Sequence, residues 1–125
     1  MRSFHDNIEK LTLNNSYFRK VVYTGKHSQL VVMSLLQGEE IGMEVHKVDQ
    51  FFRIEQGSAR FTIDNVDITA RNGDAVIVPA GSYHNVTNVG TEELKLYTIY
   101  SPSNHKDGTI HKTKADAIAA EKVEK

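Results

Sequence analysis

Along the middle of the chain, apolar and polar residues alternate in short runs, and turn residues interrupt them every 8–12 positions or so, as expected for antiparallel strands. Tyr17 to Tyr23 and Gln29 to Leu36 are rich in β-branched and aromatic residues, with Gly25-Lys26 between them and Gly38 after them. Ile41 to Gln56 is too long for one ordinary strand, so a break is predicted near Lys47-Val48-Asp49. Arg60 to Ile63 and Val66 to Ala70 flank Asp64-Asn65, a hairpin-turn signal. Asn72-Gly73-Asp74 is the next turn, Ala75 to Val78 a short apolar strand, and Pro79-Ala80-Gly81 another turn. Tyr83 to Asn88 and Leu94 to Tyr100 complete the series. Such spacing points to a sandwich or barrel rather than to βαβ units.

The ends read differently. Residues 1–14 are polar, with Ile8, Leu11 and Leu13 as possible anchors, and their pattern leaves the structure open. Ser101-Pro102-Ser103-Asn104 begins a loop running to Lys112. Thr113-Lys-Ala-Asp116 then reads as a helix start, a capping hydroxyl with an acid three residues on, and Ala115 to Lys122 has high helix propensity but little apolar surface. The expected organisation is an N-terminal segment over 1–14, a β-barrel over 15–101, and a loop with a short helix over 102–125.

Composition narrows the chemistry. The 125 residues fit one domain, long enough to bury a core without disulfides. Cysteine is absent, which removes thiolate ligands and thiol nucleophiles. The 15 basic and 16 acidic residues nearly cancel, and no basic stripe interleaved with aromatics appears, so nucleic acid is not an expected partner. No apolar run has the length of a membrane span, and Met1 to Asn7 lacks the apolar core of a signal peptide. The expected location is cytoplasmic.

Candidate chemistry lies in two runs. In the first, Gly38 to Gly57, Glu44 and His46 share one face if the segment is extended, and Gln50 joins them if the break preserves parity, followed by Phe52 and Ile54 as apolar lining. In the second, Gly73 to Asn88, His84 follows a Pro-x-Gly turn that can aim it inward. Imidazole nitrogen together with carboxylate and amide oxygen suits a divalent ion such as Mn²⁺, Fe²⁺, Ni²⁺, Co²⁺ or Zn²⁺. His5, His27, His105 and His111 lie in polar or turn-like surroundings and read as solvated surface residues; Tyr97 and Tyr100 read as core or rim.

Both runs resemble the motifs of the cupin superfamily, in particular its small single-domain members. The second motif, Gly-x5-Pro-x-Gly-x2-His-x3-Asn, is matched at every position by Gly73, Pro79, Gly81, His84 and Asn88. The first, Gly-x5-His-x-His-x3,4-Glu-x6-Gly, is altered: counting back from Gly57, Gln50 stands at the acidic position, His46 at the second histidine and Glu44 at the first. The resemblance spans residues 30–100 or so. It implies an all-β double-stranded β-helix, a jelly-roll barrel, here with a short C-terminal helix. It also implies a metal held by Glu44, His46, Gln50 and His84, and a homodimer. Gln50 cannot act as a base near neutral pH, so proton transfer would fall to Glu44, to metal-bound hydroxide or to a nearby tyrosine. The implied activity is that of a metalloenzyme on a small organic substrate, dioxygenase-like or sugar-phosphate-isomerase-like, with a non-catalytic small-molecule or metal binding module as the alternative.

Overall fold

The computed structural model describes residues 2–124. Nine strands and two helices follow one another as α1 (Ile8–Leu13), β1 (Arg19–Thr24), β2 (Gln29–Leu35), β3 (Asp49–Gln56), β4 (Ser58–Ile63), β5 (Val66–Arg71), β6 (Ala75–Val78), β7 (His84–Asn88), β8 (Leu94–Ser101), β9 (Ile110–His111) and α2 (Lys114–Glu124). All pairings are antiparallel. One sheet has the order β6-β3-β8-β2-β1-β9 and the other β5-β4-β7. This is the expected all-β jelly roll with its short C-terminal helix.

The alternation of the sequence becomes the two faces of each strand. Gln50, Phe52 and Ile54 of β3 point inward beside Leu94, Leu96, Thr98 and Tyr100 of β8, and all seven are buried. Val31, Met33 and Leu35 of β2 continue the lining, and Ala59, Phe61 and Val86 face them from the smaller sheet. Phe52 and Phe61 meet edge to face across the interior, their centroids 5.0 Å apart. Phe51 sits on the outer face, half-buried, with its ring 6.2 Å from Tyr97.

The Asp64-Asn65 turn has both central residues at positive φ, 47° and 67°, which matches the twist of its flanking strands. Gly57, between β3 and β4, has φ +98°, and a Cβ there would lie 3.3 Å from Glu93 O and Leu94 Cα. Glycine at this corner therefore meets both a backbone and a packing requirement.

Two expectations need correction, and one stretch left open is now filled. The break near Lys47-Val48-Asp49 is present, with β3 beginning at Asp49, but the part of Ile41 to Gln56 before it is not a strand: residues 41–48 run irregularly. Isolated bridges, Glu40↔Thr87 and Glu44↔His84, and the hydrogen bonds from Ile41 N to Val86 O and from Gly42 N to Asn85 Oδ1, each 2.9 Å, tie this region to β7. The reason is topological: the chain crosses from the edge of the small sheet to the interior of the large one, and Gly42, at φ +107°, takes the bend. Residues 1–14, left open by their pattern, include α1, where Asn7 caps the helix by accepting from Lys10 N at 2.9 Å. The stretch from Ser101 to Lys112 is not all loop, since Ile110–His111 pairs with Arg19 and Lys20 at the edge of the large sheet. The helix cap at Thr113 forms as read, its hydroxyl accepting from Asp116 N. No helix among the described residues is long and apolar enough to cross a membrane.

Candidate metal centre

Although residues 41–48 are not a regular strand, they still deliver two side chains to one place. Glu44 and His84 exchange backbone hydrogen bonds in both directions, each 2.8 Å, which fixes the Cα of one against the other. Two residues on, His46 O accepts from Gly81 N at 2.8 Å, and Asp49 Oδ1 accepts from Ala80 N at 2.9 Å. The Pro79-Ala80-Gly81 turn is thus stapled to the first motif, with Gly81 at φ +87°. That turn sets where β7 begins and so where His84 points.

The result is a cluster in which one ligand atom each from Glu44, His46 and His84 lies within 4.8 Å of the others. His46 Nε2 is 3.7 Å from Glu44 Oε2, too far for a hydrogen bond, and the two imidazole centroids are 5.4 Å apart. His84 is buried, while the His46 and Glu44 side chains keep 13% and 20% of their surface, so the cluster is approached from their side.

Hydrogen bonding decides which nitrogens are available. His84 Nδ1 lies 3.0 Å from Ser82 O; a carbonyl only accepts, so Nδ1 carries a proton, and in the neutral ring the lone pair is on Nε2. Nε2 of both histidines is buried without a hydrogen-bond partner, and so is Oε1 of Gln50. Unpartnered buried acceptors are costly, and several converging on one spot are what a cation would satisfy. The donor set, two imidazoles with a carboxylate, fits a divalent transition metal. Gln50 is held from the far side, its Nε2 donating to Thr98 Oγ1 at 3.0 Å, which leaves the amide oxygen unbonded.

The surroundings tune charge. Burial pushes the Glu44 carboxyl up, but contact with His46 and the charges of His46, Arg19 and His84 outweigh it and bring it below its ordinary value. Glu44 is therefore ionised at neutral pH. Tyr100 packs edge-on to His46, centroids 5.7 Å apart, and burial raises its hydroxyl well above the usual range, keeping it protonated.

Sequence reading missed the mouth of the barrel. His105 is not a solvated residue: its ring packs edge-on to Tyr100 at 5.2 Å, and its Nε2 lies 3.3 Å from the Tyr100 hydroxyl. Gln29, fully buried, holds it there, accepting from the backbone N–H of Asn104 and His105 and donating to His105 O at 2.7 Å and Thr24 Oγ1 at 2.9 Å. His111 is half-buried as well, with Nδ1 3.2 Å from Arg19 Nη1. The reason is the register of β9 and the Gln29 clamp, both long-range features. His5 and His27 are exposed as expected.

His105 has a consequence for acid stability. Burial first, then the Arg19 charge, lower its pKa from 6.5 to about 3. The unfolded chain therefore binds a proton near pH 6.5 that the folded chain refuses, and stability present above that pH is lost as pH falls toward the folded value. Between pH 7 and pH 5 this one group should remove about 2 kcal/mol. Urea unfolding of chelator-treated protein at the two pH values should show it, and His105→Gln should flatten the difference. Parallel pH profiles for the two proteins would refute the assignment.

The cupin-domain family profile matches residues 31–100, which contain both motifs and the whole cluster. The protein YrkC of Bacillus subtilis is 48% identical over 127 aligned residues, covering 96% of this chain and 68% of YrkC. The L612 protein of Acanthamoeba polyphaga mimivirus is 44% identical, covering 83% of this chain and 68% of L612. The crystal structure of BH2720 from Bacillus halodurans is 43% identical and superposes with a TM-score of 0.92 over 94% of this chain and 95% of that one. With a family profile over more than half its length and a jelly roll built around both motifs, the chain belongs to the cupin superfamily as a small cupin-domain protein.

Proposed function

We propose that this cupin is a metal-dependent enzyme acting on a small organic substrate, with Glu44, His46 and His84 as the protein ligands and Gln50 beside them. The observation that carries the reading is the convergence of two unpartnered, buried Nε2 atoms on an ionised carboxylate. A bound divalent metal would supply Lewis acidity, polarising a substrate oxygen in a dioxygenase-like or isomerase-like reaction. The chain's own contribution is orientation. Ser82 O fixes the His84 tautomer, Tyr100 backs the His46 ring, and Phe52, 6.4 Å from the His84 ring, keeps that side apolar. Glu44 carries the negative charge of the cluster and is the group that would take up a substrate proton.

A second reading is favoured by one residue. Gln50 stands where the family motif has an acid, and an amide cannot relay a proton, which suits a module that binds a metal or small molecule without turning it over. The separating experiment is turnover of a panel of small organic acids and sugar phosphates by metal-loaded protein, with metal content measured in the same samples. The enzyme reading expects turnover per bound metal that falls about a hundredfold or more in Glu44→Gln, with metal supplied in excess. Binding of panel members with no turnover in the wild-type protein would replace it with the binding-module reading.

A further inference from the structure

Inside the barrel, one strong charge has no close ion-pair partner among the described residues. Arg19 opens β1, pairs in register with buried Met33, and is 4% exposed. Its guanidinium lies 5.3 Å from the Phe18 ring centroid, and Nη1 meets His111 Nδ1 at 3.2 Å. Nε is buried with no hydrogen-bond partner, and no described hydrogen bond uses Nη2. No carboxylate of the described residues lies within 4.0 Å of it, the ion pairs being His46–Glu44, Arg53–Glu55 and Lys95–Glu93. A structural role does not explain this, because a methionine could fill the space against Met33 and Val21 without burying a charge.

We infer that Arg19 anchors a subsite for a small organic carboxylate inside the barrel. The Nε–Nη2 edge of a guanidinium presents two parallel N–H donors at the spacing of carboxylate oxygens, and that is the edge Arg19 leaves unused. The site adjoins the metal cluster: Arg19 acts electrostatically on Glu44, Tyr100 and His105 alike. With a divalent cation on Glu44, the interior would carry excess positive charge, which an anionic ligand offsets. The interior walls here, Gln50, Thr98 and Tyr100, are fully packed, which restricts the ligand to a few heavy atoms. Beyond His105 and His111 a depression of about 290 Å³, lined also by Asn104, Lys106 and Thr109, reaches the same two histidines and places a lysine near them. Only the idea that the ligand's other end reaches the metal rests on the metalloenzyme reading.

Malonate, its neutral analogue malonamide, and inorganic phosphate are the probes, titrated calorimetrically into chelator-treated and metal-loaded protein. Wild-type protein should bind malonate saturably in both states and malonamide not measurably. Arg19→Met should weaken malonate binding about tenfold or more, and Arg19→Lys by less, since an ammonium lacks the fork. Metal content should be unchanged in Arg19→Met, so failure of the metal reading would show in that measurement alone while the chelator-treated arm still decides the subsite. If Arg19→Met does not fold, the comparison with Arg19→Lys carries the test. Malonate affinity equal in wild type and variant, no malonate binding in either state, or tighter binding of malonamide or phosphate than of malonate would overturn the inference.

Discussion

Replacing His84 by alanine is expected to lower affinity for a divalent transition metal by a hundredfold or more, read by competition with a chromogenic chelator, with His46→Ala close behind. Loss of an outer partner alone typically costs about 10–100-fold, and a direct ligand more. His84 should show the larger effect because its geometry is the more constrained. Its ring is buried, Ser82 O holds Nδ1, and the Glu44 bridge and the stapled Pro79–Gly81 turn fix its backbone. His46 sits in an irregular segment and has more room to adjust. Gln50→Leu should cost about tenfold, the lower end of the range for an outer partner, because its amide nitrogen is committed to Thr98. A Gln50 effect equal to that of His84 would make Gln50 a ligand in its own right. Unchanged affinity in both histidine variants would remove the cluster as the metal site.

Most of the strand plan was legible because it depends on local pattern. Ala75–Val78 was read with its observed bounds, and the other strands apart from β3 and β9 shifted by a residue or two. The juxtaposition of Glu44, His46 and His84 was legible for a different reason: two separated runs each carried motif spacing, and their joint occurrence implied one site. The failures share a cause. Residues 41–48 have strand-like composition, yet their path is set by the Glu44–His84 bridge and the Gly42 bend, neither of which local propensity encodes. Gln29, Arg19 and His105 were invisible as site neighbours because the contacts that set them there, Gln29 to His105 and Arg19 to His111, join residues 76 and 92 positions apart. A buried arginine opening an alternating strand was the one available signal. Arg19 shares the inward parity of Val21, and a charge at an inward position is the anomaly that a strand pattern can flag.

Asn88, which ends the second motif, shows what such a position does physically. It is almost wholly buried, its Nδ2 donates to Leu35 O at 3.0 Å and Glu92 O at 2.9 Å, and its Oδ1 accepts from Gly90 N at 3.0 Å. One amide thereby ties the end of β2 to the turn between β7 and β8, and no hydroxyl or carboxylate offers both two donors and an acceptor in that volume. Asn88→Leu should keep the packing and strand three backbone groups, costing about 3–5 kcal/mol, with a lower urea midpoint at unchanged slope. Asn88→Asp separates hydrogen bonding from shape. At neutral pH its carboxylate faces two carbonyl oxygens, so its folded pKa should rise above the unfolded value. Stability relative to wild type would then be recovered at pH below the unfolded carboxyl pKa and lost as pH rises through the folded one. A pH-independent difference between Asn88→Asp and wild type would mean that the carboxyl does not face the Leu35 and Glu92 carbonyls, and that Asn88 matters by shape alone.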